Sequence, residues 1–154
     1  MATELSGDLK TAVTGFNQAY ANGDPNWFSY FDDNATIYSN ESPEPIIGRE
    51  AYRQFFEGTL VGNKRSVRPI QQEVQILDDT AVVMQLFEVT TSNVGLMIRE
   101  SSIWHKFDTG WKVVHLNTSV VGSPTVSTTT KSANAVRVLA EKIALVSSQA
   151  GVAQ

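Results

Sequence analysis

At Val67 the apolar residues change their period from 3.6 to 2, and few chains can absorb that change in one layer. Before it, Leu5, Leu9, Ala12, Val13, Phe16, Ala19 and Tyr20 recur at helical spacing and predict a helix over residues 3–22. Asn22-Gly23 ends it. Asp24 is a good N-cap and Pro25 a good first residue for a short second helix carrying Trp27, Phe28 and Phe31. Asp32-Asp33-Asn34 reads as a turn, Ala35 to Ser39 as a short strand, and Asn40 to Pro45 as a loop. Gly48-Arg49-Glu50 opens a third helix to Leu60 that buries Tyr52, Phe55 and Phe56. After the change, Val67 to Leu77 and Thr80 to Thr91 alternate around a tight Asp78-Asp79 turn. Leu77 facing Thr80 puts Ile70, Gln72 and Val74 on one face with Val83, Gln85 and Phe87. Ser92 to Gly95 turns into a last hairpin. Helices first and an antiparallel meander second predict an α+β fold, with helices packed on one face of a curved sheet.

The last hairpin, Arg99 to Ser119, folds about Asp108-Thr109-Gly110. With Phe107 facing Trp111, one face carries Glu100, Ser102, Trp104, Val114, Leu116 and Thr118. The other carries Arg99, Ser101, Ile103, His105, Val113, His115 and Asn117. Beyond Val121 the segment 122–131 (GSPTVSTTTK from Gly122) reads as a linker. Residues 132–154 then carry an amphipathic stripe of Val136, Leu139, Ala140, Ile143 and Val146, which predicts an extra C-terminal helix. The expected organisation is a domain over 1–121, a linker over 122–131 and a helix over 132–154.

Composition narrows the chemistry. The chain has 154 residues, 42% hydrophobic and 18% charged, enough for one domain with one core. Its net charge is −4 and no basic stripe interrupts it, so no nucleic-acid partner is expected. There is no cysteine, which removes disulfides, thiolate metal sites and Cys nucleophiles. Two histidines leave little for a metal centre, and no cofactor is expected. No apolar run approaches the ~20 residues of a membrane span, and no signal peptide is evident, so the expected location is cytoplasmic.

Three stretches, AYANGDPNWFSYFDDNATIY, IIGREAYRQFF and IWHKFDTGWKVVHLNTS, resemble the nuclear-transport-factor-2-like superfamily, also called SnoaL-like or ketosteroid-isomerase-like. The resemblance covers about residues 5 to 121. The pattern W-H-x-x-x-x-G-x-W-x-x-V-H looks most like the association (hub) domain of calcium/calmodulin-dependent kinase and its free-standing bacterial relatives. It implies a cone-shaped, strongly bent sheet around the first helix, a pocket on the concave face, and dimers or larger rings built through the convex face. It assigns Glu100, Ser102 and Trp104 to the concave side. The implied pocket is lined by Gln85, Phe87, Glu100, Ser102, Trp104, Leu116 and Thr118, with Tyr20 or Phe16 from the first helix and Tyr38 nearby.

The departures from the family matter too. The hub pocket's arginines match Phe87, Ser102 and Thr118 here, which counts against carboxylate binding. The isomerase base matches Ser39 or Asn40, and its oxyanion pair matches Phe16 and Ser102 or Ile103, so that activity does not carry over.

Glu100 is the sharpest catalytic candidate, because a carboxylate facing an apolar cavity is pushed toward neutrality and can serve as acid or base. His105 and His115 fall on the convex face, beside Ile103 and Val113 at an expected dimer surface. The expected ligand-binding residues are Tyr20, Tyr38, Gln85, Phe87, Ser102, Trp104, Leu116 and Thr118, with no metal ligands. Two functions fit: a small-molecule-binding protein, acting as isomerase, cyclase or dehydratase by metal-free acid–base chemistry, or a non-catalytic, oligomerising hub-like module. The partners expected are a small apolar molecule and a second copy of the chain.

Overall fold

The computed structural model describes Leu5, residues 7–91 and residues 94–121. The linker and helix expected over 122–154 lie outside the described residues.

Helix α1 (Gly7–Asn22) buries Leu9, Val13, Phe16 and Ala19, the stripe its spacing foretells. It stops where Gly23 takes φ 65, a backbone region open to glycine. Gly23 N–H then donates to the Tyr20 carbonyl (3.2 Å) and Asp24 N–H to that of Ala19 (2.9 Å), which closes the helix end with two otherwise orphaned carbonyls. The same glycine abuts the end of the next helix. Gly62 N–H donates to its carbonyl (2.9 Å), and a Cβ here would lie 2.7 Å from both Leu60 O and Asn63 N. Gly23→Ala therefore combines a left-handed penalty with a backbone clash that no side-chain motion relieves. It is expected to cost about 2–4 kcal/mol in urea unfolding. A variant as stable as the parent would show that these turns do not touch.

Asp24 caps a short 3-10 helix, Pro25–Tyr30, its carboxylate accepting from Asn26 N–H (2.8 Å). Trp27 from this turn packs against Phe16, Tyr20, Phe28, Phe31, Tyr52 and Phe56, with ring centroids 4.9–5.7 Å away. Strand β1 runs Phe31–Tyr38, so Asp32-Asp33-Asn34 is no turn. The pairing of β1 slips between Phe31 and Thr36, and Asp32 accepts from Asn34 N–H (3.0 Å) inside that bulge. The turn chemistry of the segment is spent within a strand. Strand β2 (Ile46–Ile47) is a two-residue edge that the alternation is too short to reveal. Helix α2 (Arg49–Leu60) buries Tyr52, Phe56 and Leu60. Phe55 is 43% exposed, contrary to expectation, because it lies beside the i, i+4 line of those three.

Strands β3 (Ser66–Leu77), β4 (Thr80–Thr91), β5 (Val94–Phe107) and β6 (Gly110–Val120) form the expected antiparallel meander. Thr91 pairs with Val94, so β5 begins inside the stretch read as a turn. The six-stranded sheet, in order β2-β1-β6-β5-β4-β3, is curved and unclosed. Its one parallel joint is β1 to β6. With the helices on its concave side this is the expected α+β cone.

Two bulges adjust the expected faces. In β3 the register slips between Pro69 and Gln71, leaving Ile70 43% exposed rather than facing in with Gln72. Proline cannot donate to a ladder, and β3 is an edge strand, where such a defect is tolerated. In the last hairpin Phe107 pairs with Gly110, not Trp111, so Trp104 faces Val113. Gly110, at φ 112, still supplies the freedom the loop needs. Ile103 then faces His115, so Val114 is the extra residue. Val113 is consequently in the core and Val114 is not, the reverse of the expected assignment. Past the bulge the expected parity returns for Leu116 and Thr118.

Candidate functional site

Between the concave face of the sheet and the helices lies a cavity of about 320 Å³. Tyr20 from α1 and Tyr52, Phe56 and Thr59 from α2 form one wall. Phe87, Val89, Ile98, Glu100, Leu116 and Thr118 from the strands form the other. Ser39, Asn40, Glu41, Asn63, Lys64 and Arg65 add to its lining from two connecting segments. The lining is apolar toward the sheet and polar at these segments, the composition of a small-molecule site.

Glu100 is on the wall of this cavity and only 6% exposed. Removal from water pushes its carboxyl up to about 7, against the opposing pull of a hydrogen bond from Gln85. That bond runs from Gln85 Nε2 to Glu100 Oε1 (3.0 Å). Gln85 is held in turn by Asn17 of α1, whose Nδ2 donates to Gln85 Oε1 (3.0 Å), and by Gln72 of β3, whose Nε2 donates to the same oxygen (2.9 Å). Two elements, α1 and β3, thus fix the amide that orients the carboxyl, and a group poised near neutrality can give or take a proton.

The other expected residues divide. Tyr20, Phe87, Leu116 and Thr118 line the cavity, while Gln85 stands behind Glu100. Ser102 and Trp104 lie out of reach of a ligand, at 1% and 0% exposure, with the Trp104 indole N–H donating to Ser102 Oγ (2.9 Å). They belong to the core, where Phe16 packs edge-on over Trp104. Tyr38 is 49% exposed and points to the opposite face, since it pairs with Asn117; its neighbour Ser39 lines the cavity instead. His105 and His115 are away from the cavity, bonded to Thr80 (3.3 Å) and Thr36 (2.6 Å). Among the described residues no three His, Cys, Asp or Glu side chains group to hold a metal.

Sequence reasoning missed Asn17, Gln72 and Arg65. Asn17 had a signal, being a polar residue at i+4 from Val13 on the buried side of α1. Arg65 had none. It enters from the turn between α2 and β3, with its guanidinium 4.6 Å above the Tyr20 ring. Burial holds the Tyr20 hydroxyl above its ordinary value, and Arg65 opposes that rise.

A SnoaL-like domain model matches residues 9–123, nearly all of the helix-and-sheet body just described. The chain belongs to the SnoaL-like family. Solved structures show the same fold. A CaMKII hub from S. rosetta is 25% identical, with 77% of this chain and 100% of that one covered at a TM-score of 0.60. A candidate calcium/calmodulin dependent protein kinase II association domain from Xanthomonas campestris is 23% identical over 81% and 96%, at 0.63. A candidate dehydratase of the NTF2-like family from Streptomyces avermitilis is 16% identical over 74% and 94%, at 0.66. No curated protein matches the chain in sequence. Within this SnoaL-like body, no helix of the described residues is long and apolar enough to cross a membrane.

Proposed function

We propose that this SnoaL-like protein binds a small, mostly apolar molecule in its concave cavity, and that Glu100 exchanges a proton with it in an isomerase, cyclase or dehydratase type of reaction. The observation that carries the reading is a buried titratable carboxyl, poised near neutrality, on the mostly apolar sheet wall of the cavity. In the isomerase form, Glu100 takes a proton from a carbon next to a carbonyl and returns it further along the conjugated system, which moves a double bond with no net change of atoms. The proposal is tested by screening enones, epoxides and cyclic ketones with the parent and Glu100→Gln. A substrate turned over by the parent and not by the variant supports it. Equal turnover removes Glu100 from the chemistry, and no turnover by the parent favours the non-catalytic module.

We also propose self-association through the convex face, where Met84 is 42% exposed and Leu86 and Ile103 are half-buried beside it. The presence of hub and association domains among the structural neighbours supports the same reading. Light scattering at micromolar concentration is expected to give at least twice the 16.9 kDa of the chain. A mass of one chain would count against it, and Met84→Lys is expected to lower the mass where the parent is larger.

A further inference from the structure

Arg65 is a charge held in place by neutral groups. Its own N–H donates to the Ala21 carbonyl (2.9 Å), its Nη2 to the Thr59 carbonyl (3.0 Å), and its guanidinium carbon is 4.6 Å from the centre of the Tyr20 ring. The Nε–H is closed off from solvent and has no acceptor among the described residues. Arg65 makes no ion pair among those residues, although Glu41 is on the same lining. Burial pushes the Glu41 carboxyl up and Arg65 pulls it down, so the two sense each other without bridging. Beyond Arg65 the cavity turns apolar through Phe87, Val89, Ile98 and Leu116. An arginine is always charged, and its planar fork matches a carboxylate.

We infer that the ligand of this cavity is an amphiphilic acid, whose carboxylate meets Arg65 while its apolar body lies along the sheet toward Glu100. The inference rests on the small-molecule reading above and adds the class of molecule. The cation comes from a connecting turn, not from the sheet positions Phe87, Ser102 and Thr118. Glu41 beside it favours a monoanion over a doubly charged phosphate.

The test is calorimetric titration of the full chain at pH 6 with a series of ω-phenylalkanoates and their methyl esters. At that pH the acids are ionised and Glu100 is mostly protonated, so the carboxyl of the protein does not repel them. One member of the series is expected to bind about tenfold or more tightly as the acid than as the ester, the range of a hydrogen bond to a charged group. Arg65→Gln is expected to erase that preference, so that acid and ester bind the variant within about twofold of each other. Arg65→Lys keeps the charge without the fork and should retain part of the preference. It also serves where Arg65→Gln fails to fold. Glu41→Gln should not weaken acid binding. Equal binding of acid and ester would overturn the inference and leave the small-molecule reading standing. A preference that survives Arg65→Gln would overturn the role of Arg65. If neither acids nor esters bind, the inference and the reading it rests on both fall.

Discussion

Replacing Glu100 with glutamine is expected to make the protein more stable above pH 7, not less. In the unfolded chain this carboxyl titrates at its ordinary value of 4.5, and in the folded protein at about 7. Between those values the folded state holds a proton that the unfolded state has released. Stability therefore falls as pH rises through that window, and the deficit is complete above it. A difference of this size corresponds to about 3 kcal/mol. Below pH 4 the group is protonated in both states and contributes nothing to the slope. Glutamine fits the same space, and its carbonyl oxygen can accept the Gln85 N–H that Glu100 Oε1 accepts now. It carries no charge at any pH, so the deficit disappears. The measurement is urea unfolding of both proteins from pH 4 to 9. All other carboxylates contribute equally to the two curves, and the difference between them isolates Glu100. The curves should nearly coincide at the acid end and separate by about 3 kcal/mol at the alkaline end, with the variant above. Parallel curves would mean that Glu100 is solvated in both states, and the catalytic reading would lose its footing.

How far the sequence discloses this arrangement depends on what each feature responds to. The Leu9-Val13-Phe16 stripe, the Tyr52-Phe56-Leu60 line and the alternation of β4 and β5 are local patterns, and the structure follows them. That Glu100, Ser102 and Trp104 share one face likewise follows from the period of 2, while its being the concave face is what the family resemblance implies. What stays hidden is set by partners distant in the chain. The extra residue at Val114 exists only relative to β5, and the slip at Asp32-Asp33-Asn34 only relative to β6. Both reverse or displace faces without altering the local pattern. Parity also says nothing of depth. Ser102 and Trp104 share the face of Glu100 yet lie outside the cavity lining, with Phe16 packed on Trp104 and the Trp104 indole N–H bonded to Ser102. Arg65 is the extreme case. Its place on the cavity follows from backbone bonds that tie residues 62 and 65 to residues 23 and 21, and from the Tyr20 ring it lies on. No periodicity in a polar turn announces such a contact.

The second large effect concerns rate. If the chain catalyses proton transfer, Glu100→Gln is expected to lower kcat/KM by about 10²–10⁴, the usual cost of losing one acid–base group. Glu100 is the candidate because it combines three properties. It lines the cavity, it titrates near 7, and the Asn17–Gln85–Gln72 network fixes its orientation. Glu41 also lines the cavity, but it is an exposed residue and Arg65 opposes the rise that its partial burial causes. The pH profile gives the role. A base must be ionised to act, so kcat/KM would rise with pH and level off above 7. An acid must be protonated, so kcat/KM would fall above 7. Either limb should vanish in Glu100→Gln. Glu100→Asp keeps the titration but withdraws the carboxyl by one methylene, and should retain a fraction of the rate between the two. Gln85→Leu separates position from charge. It removes the donor that opposes the upward shift, so the limb at 7 should move to higher pH. A profile unchanged by Gln85→Leu together with a parent-like rate in Glu100→Gln would assign the proton transfer to another group and return the cavity to binding alone.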